Sequence, residues 1–197
     1  MPEETVPPRW TDPLAWGWSH CGFSGGRVGK KDLTAVYDGF QVASHCWKHE
    51  PAGSIPDGEF LKAAMDARNF LEDTFQRECR GFAWPNGKHT PETERLLAEA
   101  GFRYGRTPAK TPDVTANTNL LALDPNCRFM DPFFWKIFAE AKQTGVFYFW
   151  GHSYEMMDVP QLWERIEIKI RTLSEDPDVE WVDVIDLVPL CKGEERP

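Results

Sequence analysis

Long apolar runs, basic clusters, paired cysteines and histidines are all scarce in this chain, and each shortage removes a class of protein. No apolar stretch of the sequence approaches the roughly 20 residues that span a bilayer. The formal net charge is −9 with no Lys/Arg cluster, so a nucleic-acid partner is disfavoured and an anionic membrane surface offers nothing. Five cysteines stand at 21, 46, 79, 127 and 191. Their odd number and the absence of a C-x-x-C pair argue against a disulfide framework or a thiolate zinc knuckle, and buried thiols are expected. The start, Met1 to Trp10, is acidic and proline-rich, without the basic and apolar regions of a signal peptide. As written, the chain reads as cytoplasmic. No repeat, low-complexity tract or linker divides it, so a single domain over residues 1–197 is expected, with residues 1–13 as an irregular N-terminal segment.

What remains is ordinary in bulk and unusual in detail. A chain of 197 residues with 41% hydrophobic content can bury a substantial core. Nine tryptophans are unusual; some are expected in the core and others along a pocket, since flat rings suit stacking on sugar faces or other ring ligands. Leu14 to Ser19 reads as a strand and Gly22 to Gly29 as a glycine-rich loop. Lys30 to Tyr37 reads as a short helix stopped by Gly39, and Phe40 to Ser44 as a buried strand. The clearest helix runs from Asp57 to Gln76, with Phe60, Leu61, Ala64, Met65, Arg68, Leu71 and Phe75 spaced by threes and fours. Gly81 to Trp84 is a strand closed by the turn Pro85-Asn86-Gly87. Thr90 and Pro91 open a helix that ends at Gly101, and Phe102 to Arg106 is a short strand. Leu120 to Leu123 is a further apolar run, and Asp131 to Lys142 a helix. Val146 to Trp150 is the strongest strand, Gln161 to Leu173 a helix and Val179 to Val188 a last strand. Strands too apolar to face water, alternating with helices, predict an α/β fold with a parallel sheet, open or closed into a barrel.

Ligands of such folds bind where strands end. His20 follows the first strand, His45 and His49 the second, Pro85-Asn86-Gly87 the third, and Gly151-His152-Ser153-Tyr154-Glu155 the strongest. Four of the five histidines therefore fall on one face. His45 and His49 share a side if their segment makes a helical turn, and two neutral imidazoles are a partial site for zinc or a similar ion. The plain alternative is a polar turn with exposed side chains. His152, between Trp150 and Tyr154, suits general-acid work, or else is a core histidine bonded to backbone. Glu155 would orient a neighbour or cap a turn. Gly22-Phe-Ser24-Gly-Gly26 fits a nucleophile-elbow pattern, but no helix follows directly, so Ser24 is set aside as a nucleophile. The same loop has no G-K-[ST] ending and is not read as a phosphate cradle.

Together these segments resemble the polysaccharide deacetylases, the NodB-like group of carbohydrate esterase family 4. Tyr37 to His49 looks like the family's H-[ST]-x-x-H motif after its strand, with Cys46 in the Ser/Thr place. Arg80-Gly-Phe-Ala-Trp-Pro-Asn-Gly87 is similar to the third motif, and Phe147 to Glu155 to the last. Asp131 to Trp135 resembles a remnant of the fourth. The resemblance runs over roughly residues 14–188. It implies a NodB-like distorted (β/α) barrel and metal-dependent hydrolysis of N-acetyl groups on a carbohydrate. His45 and His49 would hold a divalent ion, zinc first, with cobalt or nickel as alternatives. His152 would protonate the leaving amine. Trp84, Pro85, Asn86, Trp150 and Tyr154 would contact substrate.

Two departures stand out. The T-F-D-D-G motif, which supplies the base and the third ligand, is absent, and Asp12 or His20 is the substitute at hand. Ala83 occupies the place of an arginine that positions the base, with Arg80 nearby. One reading is a shortened deacetylase without its first strand, impaired in its chemistry. The other is a non-catalytic member that binds carbohydrate or metal. A missing first strand would also leave a sheet edge for a second copy, which makes a homo-oligomer an expectation.

Overall fold

A computed structural model describes residues 30–152, 155 and 161–194. The expected strand at 14–19, the loop at 22–29, and Asp12, His20, Ser24 and Tyr154 lie outside the described residues. The chain enters through a 3-10 turn, Lys30–Asp32, and the short helix α1, Leu33–Val36. Strand β1 is Ala43–Ser44, helix α2 Asp57–Phe75, strand β2 Gly81–Ala83, helix α3 Pro91–Glu99 and strand β3 Tyr104–Arg106. Strand β4 is Cys127–Arg128, helix α4 Phe134–Thr144, strand β5 Phe149–Trp150, helix α5 Gln161–Ser174 and helix α6 Leu187–Cys191.

The strands pair in parallel, β1 with β2 and β2 with β3, and separately β4 with β5. A parallel bridge from Arg106 to Leu123 carries the pairing one step beyond β3. Each strand is followed by helical structure, so the order around the sheets follows the order in the chain, as in part of an α/β barrel. The strands are shorter than their apolar runs. Val42 is buried next to β1, and Asn126 N–H donates to Tyr148 O at 2.7 Å just before the paired residues of β4 and β5. These flanks pack in the core without completing a ladder.

Helix α2 forms because its apolar positions recur on one side. Phe60, Ala63, Ala64, Ala67 and Leu71 are buried. Asp57 and Glu59 in its first turn face the positive end of the helix dipole, and Gln76 closes it in the left-handed conformation. Its buried side meets Phe82, Trp84, Leu97 and Phe102. Ser44 Oγ donates to Ala64 O at 2.9 Å, fixing β1 to α2. Glu72 accepts from Arg68 Nε and from Cys79 N–H, both at 2.9 Å, which ties the helix to the entry of β2. Helix α3 begins as expected at Thr90, whose hydroxyl accepts from Thr93 N–H while Thr93 answers in kind.

One apolar run is resolved and one expectation is corrected. Leu120–Ala122 is a 3-10 turn, because Asn119 Oδ1 accepts from Leu121 N–H and folds the chain there. Val179 to Val188 forms no strand among the described residues. Asp183 and Asp186 make a reciprocal cap that starts a 3-10 turn at Val184, and α6 follows it. That capping chemistry outweighs the partial alternation, and the apolar members still pack inward on Tyr104 and Tyr148.

Candidate active site

His45 leaves the end of β1 and crosses to β2, where its Nδ1 lies 2.6 Å from Ala83 O. A carbonyl can only accept, so Nδ1 carries the hydrogen and Nε2 presents a lone pair. Burial, first, holds the His45 imidazole down at about 3, and charge on His49, Arg106 and His152 adds to this against the opposing effect of the Ala83 bond. A ring this reluctant to protonate stays a neutral nitrogen donor at physiological pH.

The helical turn that would set His45 and His49 on one side is not formed. The segment is a bend with Cys46 at φ 61 and His49 at φ 64, both left-handed. Two such residues within five positions are an uncommon backbone for side chains other than glycine. The bend still brings the rings together, with centroids 4.7 Å apart at 73°. The His49 imidazole is also held below its ordinary value, by burial first and then by His152. Cys46 is fully buried behind the bend, and burial drives its thiol up. It is a packing residue rather than a third donor. Among the described residues no group of three His, Cys, Asp or Glu forms a metal-holding cluster.

His152 enters from β5 through Gly151. A methyl group on Gly151 would lie 1.9 Å from the Phe129 ring, so only glycine lets the chain pass here. His152 Nδ1 donates to Glu155 Oε1 at 2.9 Å. The same oxygen also receives Arg128 from β4. The imidazole stands edge-on to Trp150, with centroids 5.1 Å apart. The Trp150 ring in turn lies beneath two guanidinium groups, Arg106 at 4.7 Å and Arg128 at 5.4 Å. His152 thus lies within electrostatic reach of both His45 and His49.

The other expected residues divide sharply. Trp84 is 1% exposed. It stacks on Phe60 at 5.7 Å and donates to Leu121 O at 2.6 Å, so it is core and offers no face to a ligand. Pro85 is buried with it, and Asn86 is exposed at the turn with φ 53. Trp150 is buried under its two cations. Arg80 turns outward to Glu78 and does not fill the place beside Ala83. Asp131 pairs with Lys110 and accepts from Phe133 N–H at 2.9 Å, a turn that leads into α4. The residues not foreseen are Arg106 and Arg128. A charged residue closing an apolar strand, as Arg106 closes Phe102 to Arg106, was the signal available.

A neutral histidine pair thus stands at one strand end of the parallel α/β fold and a third histidine at another. Residues 27–105 match the family model described as polysaccharide deacetylase. The match holds His45, His49 and the Ala83 turn, and it ends before His152. Among solved structures, PuuE allantoinase is similar at 16% identity with a TM-score of 0.61, covering 83% of this chain and 63% of that one. A probable polysaccharide deacetylase from Pseudomonas aeruginosa PAO1 is similar at 17% identity with a TM-score of 0.56, covering 85% and 64%. The PplD deacetylase of Streptococcus pyogenes, solved with acetate, is similar at 18% identity with a TM-score of 0.48, covering 52% of this chain and 46% of that one. The chain spans less than two thirds of the length of each of these. No curated protein matches it. Residues 27–105 thus resemble the polysaccharide deacetylases, and the fold is NodB-like, part of an α/β barrel.

Proposed function

We propose that this chain is a metal-dependent hydrolase that removes N-acetyl groups from a carbohydrate. The observation that carries this reading is the His45 to Ala83 bond, which leaves Nε2 of a neutral imidazole open beside the second ring 4.7 Å away. Two neutral nitrogens fit a zinc ion, with cobalt or nickel as alternatives. The third ligand is sought outside the described residues, where Asp12 and His20 are the candidates. A divalent ion held there would polarise the acetyl carbonyl and ease deprotonation of water.

The chain's own groups do the rest. Glu155 accepts from His152 Nδ1, which orients the ring and leaves Nε2 as the proton-bearing position toward the leaving amine. Arg128 holds the Glu155 carboxylate in place. Asn86 and Tyr154 are the proposed sugar contacts, and Trp150, buried under its two cations, backs His152. The fold itself does not choose among amides, since an allantoinase shares it.

Metal analysis of the purified protein, followed by assay of acetate release from an N-acetylglucosamine oligomer, tests the reading. Zinc, cobalt or nickel at near one per chain with acetate release supports it. A protein that takes up no such ion at micromolar concentration ends the hydrolase reading. The second reading, a non-catalytic carbohydrate- or metal-binding member of the same fold, is favoured by Ala83 in the place of the base-positioning arginine, with Arg80 turned outward to Glu78. It predicts sugar binding with no acetate released.

A further inference from the structure

Arg106 is 7% exposed, yet no described carboxylate pairs with it, and its Nε has no hydrogen-bond partner among the described residues. Guanidinium groups are almost never buried without a partner, because the charge is taken from water and nothing replaces the water. This one is also placed with purpose. Strand register sets Arg106 directly beside Ala83, the residue whose carbonyl holds His45. Its guanidinium lies over Trp150, and Trp150 abuts His152. Arg128 lies over the same ring, but its charge is met by Glu155. Among the described residues, then, the Arg106 guanidinium stands between the Ala83 strand end and Trp150 with no carboxylate against it.

We propose that Arg106 receives a carboxylate of the ligand that occupies this site. The proposal rests on the reading of the site as one for N-acetylated substrates and narrows it: the ligand has an anionic group within reach of the histidine pair. A planar guanidinium suits a carboxylate through two parallel N–H donors, and the Trp150 face excludes water from one side of the contact. Two sources carry that chemistry. One is a carboxylate on the amino sugar itself, and the other is the acetate that deacetylation releases.

Binding to the metal-free protein separates this from coordination by a metal. Calorimetry is run with N-acetylmuramic acid, N-acetylglucosamine and sodium acetate. At least one of the two carboxylates is expected to bind about tenfold tighter than the uncharged sugar, and Arg106→Gln to remove that preference. Arg106→Lys should keep part of it. If the sugar acid exceeds acetate, the carboxylate belongs to the substrate; if acetate equals it, the carboxylate is that of the product. Equal binding of charged and uncharged probes by the wild type, or a preference unchanged in Arg106→Gln, overturns the proposal. Should Arg106→Gln fail to fold, judged by near-ultraviolet circular dichroism, Arg106→Lys and a salt series on the wild type decide, since a preference insensitive to salt is not ionic. Metal analysis of the same samples keeps the two readings apart. Zinc uptake without carboxylate preference defeats this proposal alone, and carboxylate preference without zinc uptake defeats the hydrolase reading alone.

Discussion

The carbonyl of Ala83 on β2 accepts the Nδ1 hydrogen of His45 at 2.6 Å, so one strand sets the tautomer of a residue at the end of the next. This bond spans 38 positions of sequence and selects the nitrogen that faces the site. A histidine left in solution would sample both tautomers and both protonation states.

His49→Ala is expected to lower zinc affinity by about 100-fold or more, since a site of few ligands loses one outright. His45→Ala should do the same. Calorimetric titration with zinc checks both, and retention of wild-type affinity in either variant would remove that residue from the site.

Glu155→Gln should leave zinc affinity unchanged and lower kcat by about tenfold or more, because the amide orients His152 less firmly and cannot balance Arg128. Acetate-release kinetics beside the zinc titration separate the two effects. A drop in zinc affinity with kcat preserved would contradict the assignment.

Acid should weaken the metal-free protein through His45. Folded, the ring stays neutral down to about pH 3; unfolded, it takes its proton near about 6.5. Between those values the unfolded chain binds more protons, so stability falls as pH drops from about 6.5 toward 3 and is fully present above that window. Urea denaturation at stepped pH, compared with His45→Gln, should show a smaller loss in the variant. Equal slopes would show that His45 contributes nothing to the acid sensitivity.

Gly151→Ala should destabilise the fold by about 1–3 kcal/mol, because a Cβ there meets the Phe129 ring at 1.9 Å and something must shift. Since the same glycine delivers His152, activity should fall at temperatures where the variant is still folded. Thermal unfolding and acetate release together give the answer; an unperturbed melting temperature would refute the packing argument.

Thr90→Ala serves as a distant comparison. Losing the hydroxyl that caps Thr93 N–H at 3.1 Å should cost about 1 kcal/mol of stability. Activity per folded molecule should not change, because Thr90 lies at the start of α3 and not at the strand ends that carry the histidines.

Much of the scaffold was legible because it rests on local chemistry. The limits of α2 follow from its apolar spacing, and those of α3 from Thr90 and Pro91. The run Val179 to Val188 was misread because alternation and capping compete over a few residues, and only the inward packing of its apolar members reveals that either solution buries them. Trp84 was misread for a related reason. A tryptophan after a strand can line a pocket or fill a core, and here Phe60 and the Leu121 carbonyl claim it.

The sequence by itself determined which groups could act: a sparse set of histidines at strand ends, and a family motif in order. Those are properties of residue type and spacing, which survive without coordinates. Only the tertiary structure decided how they act. It replaced the helical turn between His45 and His49 with a left-handed bend, chose the His45 tautomer through Ala83, and set Arg106 beside that carbonyl. The last two depend on strands that pair residues far apart in the chain, and register of that kind is written in no local pattern.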